Sequence, residues 1–163
     1  MIEEFKYYFK YFFNTQISVN NKKYKKQNWV GNILLTLLLI PGLWYFFSLP
    51  GSLTLDEMLK MSEEELLREE LFRSLLFVIS VLVFFTLIHL IHTSNEIHRY
   101  NMRQKNWKKP LLILAGCYVV FILLNIILYM NKQPEFMRST CVLLLISQFV
   151  FYGNEKLLEG EVK

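Results

Sequence analysis

Three histidines and two cysteines are the residues best suited to metal, redox or proton chemistry in this 163-residue chain. His89 and His92 are three apart, so a helix would place them on one face. Imidazoles so spaced serve as metal ligands or as groups that titrate near neutrality. A metal or haem site needs further ligands at the same depth, and no other apolar segment contains a histidine or a carboxylate. His89 and His92 are therefore expected to be pH-sensitive or ordinary interfacial side chains. Cys117 and Cys141 lie inside apolar stretches and form no Cys-x-x-Cys pair, so they are expected to pack as small apolar residues. No nucleophile has a base at a recognisable spacing, no calcium loop or phosphate-cradling glycine run is present, and no cofactor is expected. The chain is expected not to be an enzyme.

The elements around these residues are dominated by four apolar stretches, Trp29–Leu49, Leu71–Thr93, Pro110–Met130 and Arg138–Tyr152, separated by short charged loops. At ~1.5 Å per residue, a helix of about 20 residues spans a hydrocarbon core of ~30 Å. With 53% apolar residues and a mean hydropathy of +0.28 alongside 20% charged residues, apolar and charged residues must be segregated in blocks. The expected fold is all-α: an integral membrane four-helix bundle of four transmembrane helices, with an N-terminal amphipathic interfacial helix. Its parts are a cytoplasmic segment 1–28, a four-span domain 29–153 and a tail 154–163. The first span begins too late and runs too long for a cleavable signal, so it is expected to remain as an anchor. The fourth is the shortest, with an apolar core from Thr140 to Tyr152.

Charge sets the expected orientation, since Lys and Arg are retained in the cytoplasm. Lys6, Lys10, Lys22, Lys23, Lys25 and Lys26 precede the first span, and Arg99, Arg103, Lys105, Lys108 and Lys109 lie between the second and third. The loop 50–70 is acidic and the loop 94–109 basic, which puts both termini in the cytoplasm of a bacterial-type plasma (inner) membrane. Lys22, Lys23, Lys25 and Lys26 are expected to contact anionic lipid, where each cation near the surface contributes about 1 kcal/mol. Ile2, Phe5, Tyr8, Phe9, Phe12 and Phe13 fall on one side of a 3.6-residue period, opposite Glu3, Lys6, Lys10 and Asn14. This suits a helix lying in the inner headgroup layer.

Within the spans, Thr36, Ser80, Asn125 and Gln148 are candidates for interhelical polar contacts or pore lining. Pro41 and Gly42 predict a kink in the first span. Ala115-Gly116-Cys117 would let a neighbouring helix approach closely. Thr54-x-x-Glu57 and Ser62-x-x-Glu65 match the capping box, predicting a short helix near Leu55–Met61 and another from Glu63 straight into the second span.

No acid or base sits in the middle of any span, which argues against an ion-coupled carrier. The basic loop lacks a nucleic-acid-binding module, so no nucleic acid is expected. The expected function is a self-associating subunit of an oligomeric membrane assembly: a pore, a gate or a sensor of membrane disturbance. The alternative is an accessory, immunity or scaffold protein that binds another membrane protein, or a cytosolic partner at the basic loop. Membrane lipids and further copies of the chain are the expected partners.

Overall fold

The computed structural model describes residues 2–48 and 54–148. The described residues are helical with no strand: α1 (Ile2–Tyr11), α2 (Asn21–Ser48), α3 (Leu55–Met58), α4 (Glu63–Met102), α5 (Lys108–Met130), α6 (Pro134–Ser139) and α7 (Cys141–Ser147). Two of these helices, α4 and α5, are long and apolar enough to cross a membrane. At 40 residues, α4 is about 60 Å long, roughly twice the thickness of a hydrocarbon core.

Local chemistry explains the helix starts. Asn20 caps α2, its side-chain oxygen accepting from the Lys23 amide at 2.8 Å. Glu57 turns back to the Thr54 amide and hydroxyl, both at 2.8 Å, and Glu65 to those of Ser62, both at 2.9 Å. Both capping boxes expected from the sequence are therefore formed. These hydrogen bonds hold the Glu57 and Glu65 carboxyls below the usual carboxylate range. As expected, α4 continues from the second box into the apolar stretch without a break.

The ends of α4 and α5 use a less obvious device. Gln104 and Lys132 adopt left-handed backbone conformations with φ of 53° and 55°. Each closes a Schellman turn: Lys105 N–H donates to Tyr100 C=O at 3.0 Å, and Gln133 N–H to Leu128 C=O at 2.9 Å. Glycine is the usual residue at such positions because it has no Cβ to clash.

The helix α2 runs through Pro41, and a Cβ added at Gly42 would meet nothing within 4 Å. The fourth apolar stretch begins as α6 and α7, joined at Thr140; its part beyond Gln148 lies outside the described residues.

The chain divides into two compact units. Unit 1 gathers Met1–Tyr45 and Phe84–Leu112, and unit 2 gathers Phe46–Val83 and Ile113–Lys163. The core of unit 1 is Tyr8, Val30 and Ile91, with Phe5, Phe12, Leu34 and Leu35 packed against it. The approach at Gly31 is close: a Cβ on it would lie 3.2 Å from both Ile91 Cγ2 and His92 Cε1, which would have to give by a few tenths of an ångström. The buried residues of unit 2 include Ser74, Phe121, Met137 and Leu144.

Candidate functional site

The densest concentration of buried polar side chains lies in unit 1, on the last turns of α4. His92, Asn95, Glu96, His98 and Arg99 are all buried, a run that water-soluble helix faces do not tolerate without partners. The partners come from α1, α2 and the turn between them, in two sets.

One set reads backbone carbonyls. The Ser94 hydroxyl donates to Phe12 C=O, His98 Nε2 to Asn14 C=O at 2.7 Å, and Asn101 Nδ2 to Thr15 and Ile17 C=O at 2.7 and 2.9 Å. Residues 94, 98 and 101 share one helix face, so three side chains grip the connecting turn along its length. Because the Asn14 carbonyl only accepts, His98 carries its proton on Nε2.

The other set surrounds Tyr24. Its hydroxyl donates to Glu96, its carbonyl accepts from Asn95 Nδ2 at 3.4 Å, and the Arg99 guanidinium lies 4.5 Å from its ring centroid. One turn along α2, Asn28 Oδ1 meets His92 Nδ1 at 3.1 Å.

Glu4 fastens α1 from the opposite side. It pairs with Lys23 at 2.7 Å and Lys26 at 3.2 Å, and accepts from Gln27 Nε2 at 2.7 Å. The Lys23 hydrogen bond, more than any other interaction, holds the Glu4 carboxyl below the usual carboxylate range. Lys23 also sits 3.9 Å from the Tyr7 ring centroid. The Tyr8 hydroxyl donates to Ile91 C=O, and burial pushes its phenol well above the ordinary value, so it stays a donor. Between these attachments is a small cavity of about 10 Å³, walled by three tyrosines of α1, Gln27 of α2, and Ser94, Asn95 and His98 of α4.

The residues singled out from sequence fall in different places. Lys23 and Lys26 pair with Glu4, and Lys22, Lys25 and Lys26 of the basic cluster are exposed. His89 and His92 are buried, and His92 serves as a structural partner of Asn28. The Thr36 and Ser80 hydroxyls donate within their own helices, to Asn32 C=O at 2.9 Å and Leu76 C=O at 2.8 Å. In unit 2, Asn125 donates to Thr140 Oγ1 at 2.7 Å, while Thr140 donates to Met137 C=O at 2.7 Å, and Arg138 Nε donates to Ser74 Oγ at 3.1 Å. The Gln148 amide closes the end of α7 on Leu145 C=O. Glu96, Asn95 and Asn101 were not singled out from sequence, and Arg99 was read only as a cation of the basic loop; a carboxylate and an arginine in what reads as a cytoplasmic loop carry no signal of burial.

Among the described residues, no group of three or more His, Cys, Asp or Glu side chains is placed to hold a metal ion. The arrangement does structural chemistry: it orders the chain's first helix on the ends of two long ones.

Its charge states make it sensitive to acid. Burial holds His98 below its ordinary value of 6.5, against a smaller opposing effect of the Asn14 carbonyl. A base with a lowered folded pKa gives full stability above 6.5 and loses it as pH falls below that value, because the unfolded chain takes up the proton first. Glu4 acts in the same direction lower down: its contribution is full above 4.5 and is lost as pH falls through its lowered folded value. The thermal midpoint of unit 1 is therefore expected to fall on acidification from 6.5, with a further fall below 4.5. His98→Gln, which keeps a donor for Asn14, should shrink the first fall, the rest of which belongs to the other buried histidines of unit 1, and leave the second.

No family model matches this chain, and neither a curated protein nor a solved structure matches it.

Proposed function

We propose that the chain is a non-enzymatic multi-pass membrane protein that self-associates into an oligomeric assembly. Its four spans would lie along the four apolar stretches, with both termini in the cytoplasm. The observation that carries this reading is the surface of α5. Among its 23 residues, Ile113, Val119, Val120, Leu123, Ile126 and Ile127 are each about half exposed and form one outward apolar side, while Leu114 and Phe121 are buried on the other. A helix apolar all round needs lipid or other helices against it, since soluble monomers rarely expose contiguous apolar patches beyond a few hundred Å². The small stretch at Ala115 and Gly116 is open as well, a Cβ at Gly116 meeting nothing within 4 Å. In lipid, such open small residues favour close helix–helix approach between copies.

The position of α1 supports an interfacial placement. It docks through Phe5, Tyr8 and Phe12 on Val30 and Ile91, which lie at the inner borders of the first two apolar stretches. A second stripe remains outside: Ile2, Phe9 and Phe13 are 73%, 61% and 86% exposed. With the border of α2 and α4 at headgroup depth, this stripe meets the lipid, and exposed Lys6, Lys10, Lys22 and Lys25 complement an anionic leaflet.

The test is the particle mass of the full chain in nanodiscs. Several copies per particle are expected. A strict monomer would overturn self-association and favour the accessory reading, in which the chain binds a different protein.

A further inference from the structure

A groove on unit 2 runs between α5 and the α6–α7 segment. Its volume is about 520 Å³, within the ~300–1,000 Å³ usual for ligand sites. Leu124, Leu128, Phe136 and Leu143 make most of its wall. Ser139 and Thr140 also line it, but their hydroxyl protons are spent on their own segment. Ser139 donates to Glu135 C=O at 3.5 Å, and Thr140 to Met137 C=O at 2.7 Å. Thr140 Oγ1 is further occupied by the Asn125 amide. An occupant of this part of the groove meets an apolar surface.

The polar exception sits at one end. Gln133 lines the groove and closes the three-residue turn between α5 and α6. It is exposed, and its side-chain amide forms no hydrogen bond among the described residues. The Asn125–Thr140 hydrogen bond pairs the two arms of this turn. Leu128 and Phe136 therefore lie nearer the Gln133 end, and Leu124 and Leu143 farther from it.

Charge gathers at the same end. Lys132 and Arg138, next in the chain to Gln133 and Ser139, are exposed and form no ion pair among the described residues. Glu135 is the one carboxylate on the turn, so two cations against one anion leave this end positive. The complementary ligand is apolar along its length, polar at one end and negative there. Glycerophospholipids have that build, and a bilayer presents them at high concentration.

We propose that the groove holds one acyl chain of a glycerophospholipid of the outer leaflet, with the ester and phosphate groups met by Gln133, Lys132 and Arg138. The site rests on the membrane reading above. Lipid tails are as apolar as leucine, so the walls alone give little preference for a bound lipid over the surrounding ones. The polar end decides whether one lipid stays.

The test is photolabelling of the full chain in nanodiscs doped with a phosphatidylethanolamine that carries a diazirine partway along one chain. Peptide mapping is expected to find labels at Leu124, Leu128, Phe136 or Leu143 in several-fold higher yield than at Leu37 and Ile79, which are exposed apolar residues of α2 and α4. A diacylglycerol with the same chain lacks the phosphate and should label the groove several-fold less. The surface variant Lys132→Gln with Gln133→Ala should bring the phospholipid yield down toward that of the diacylglycerol. Equal labelling of the groove and the control positions would overturn the proposal, and so would equal labelling by the two lipids. Labels at Leu37 and Ile79 but none in the groove would also overturn it, and would mean that a second copy or another protein covers the groove. Absence of label at every position would instead overturn the membrane reading, and the site with it.

Discussion

Tyr8→Ala is expected to release α1 from unit 1 and to lower that unit's stability by about 3–5 kcal/mol, the range for deleting a buried aromatic ring. Tyr8 is 6% exposed, sits at the centre of the Val30 and Ile91 cluster, and anchors its hydroxyl on Ile91 C=O. Tyr8→Phe separates the two contributions. It keeps the ring and forfeits one hydrogen bond, for an expected loss of about 0.5–1.5 kcal/mol. Hydrogen exchange of the Ile2–Tyr11 amides reads the release directly. Tyr8→Ala should bring these amides to exchange at rates near those of an unstructured peptide, whereas Phe13→Ala, which alters an 86%-exposed ring, should leave their docking intact. Unchanged protection in Tyr8→Ala would mean that α1 is held by something other than this core.

Glu96→Leu is the second large effect, with an expected loss of about 1.5–3 kcal/mol, the range for a hydrogen bond to a charged group. Glu96 is 2% exposed and accepts the hydroxyl of Tyr24, which is itself 6% exposed and stacked under Arg99. Tyr24→Phe should also destabilise, because it leaves the buried Glu96 oxygen without this donor. The two changes share one bond, so the double variant should fall well short of the sum of the singles. Denaturant unfolding of the four proteins in one detergent measures that coupling, and strict additivity would deny the bond.

The helix framework was legible because helix starts are written locally. Thr54 with Glu57 and Ser62 with Glu65 satisfy free amides within one turn, so spacing alone locates α3 and α4. The ends were harder to read. Gln104 and Lys132 occupy left-handed positions that no glycine marks. On α1, a single apolar face was expected. The structure divides it, with Phe5, Tyr8 and Phe12 docked and Ile2, Phe9 and Phe13 outward, because a helix period shows which residues are neighbours but not which stripe finds a protein surface.

The polar site was illegible for a related reason. Tyr24 and Glu96 are 72 residues apart, and His98 lies 84 from the Asn14 carbonyl it grips. Nothing in local composition pairs groups across that separation. Lys23 and Lys26 pair with Glu4, which stands 19 and 22 residues away on another helix, a partner that local composition does not reveal. Asn125 carries a stronger local signal, because an amide inside an apolar helix demands a partner wherever it comes from; here its amide donates to Thr140 Oγ1.

Membrane integration of the apolar helices can be read most directly along α5. Spin labels placed one at a time from Leu112 to Met130, in a Cys117→Ala, Cys141→Ala background in nanodiscs, report access to oxygen, which concentrates in lipid, and to a water-soluble nickel complex. A helix crossing the bilayer gives a broad maximum of oxygen access over nickel access near its middle and falls off toward both ends. Nickel access rising and falling every three to four residues along the whole helix would mark a helix with one face in water, and would contradict a bilayer-spanning α5.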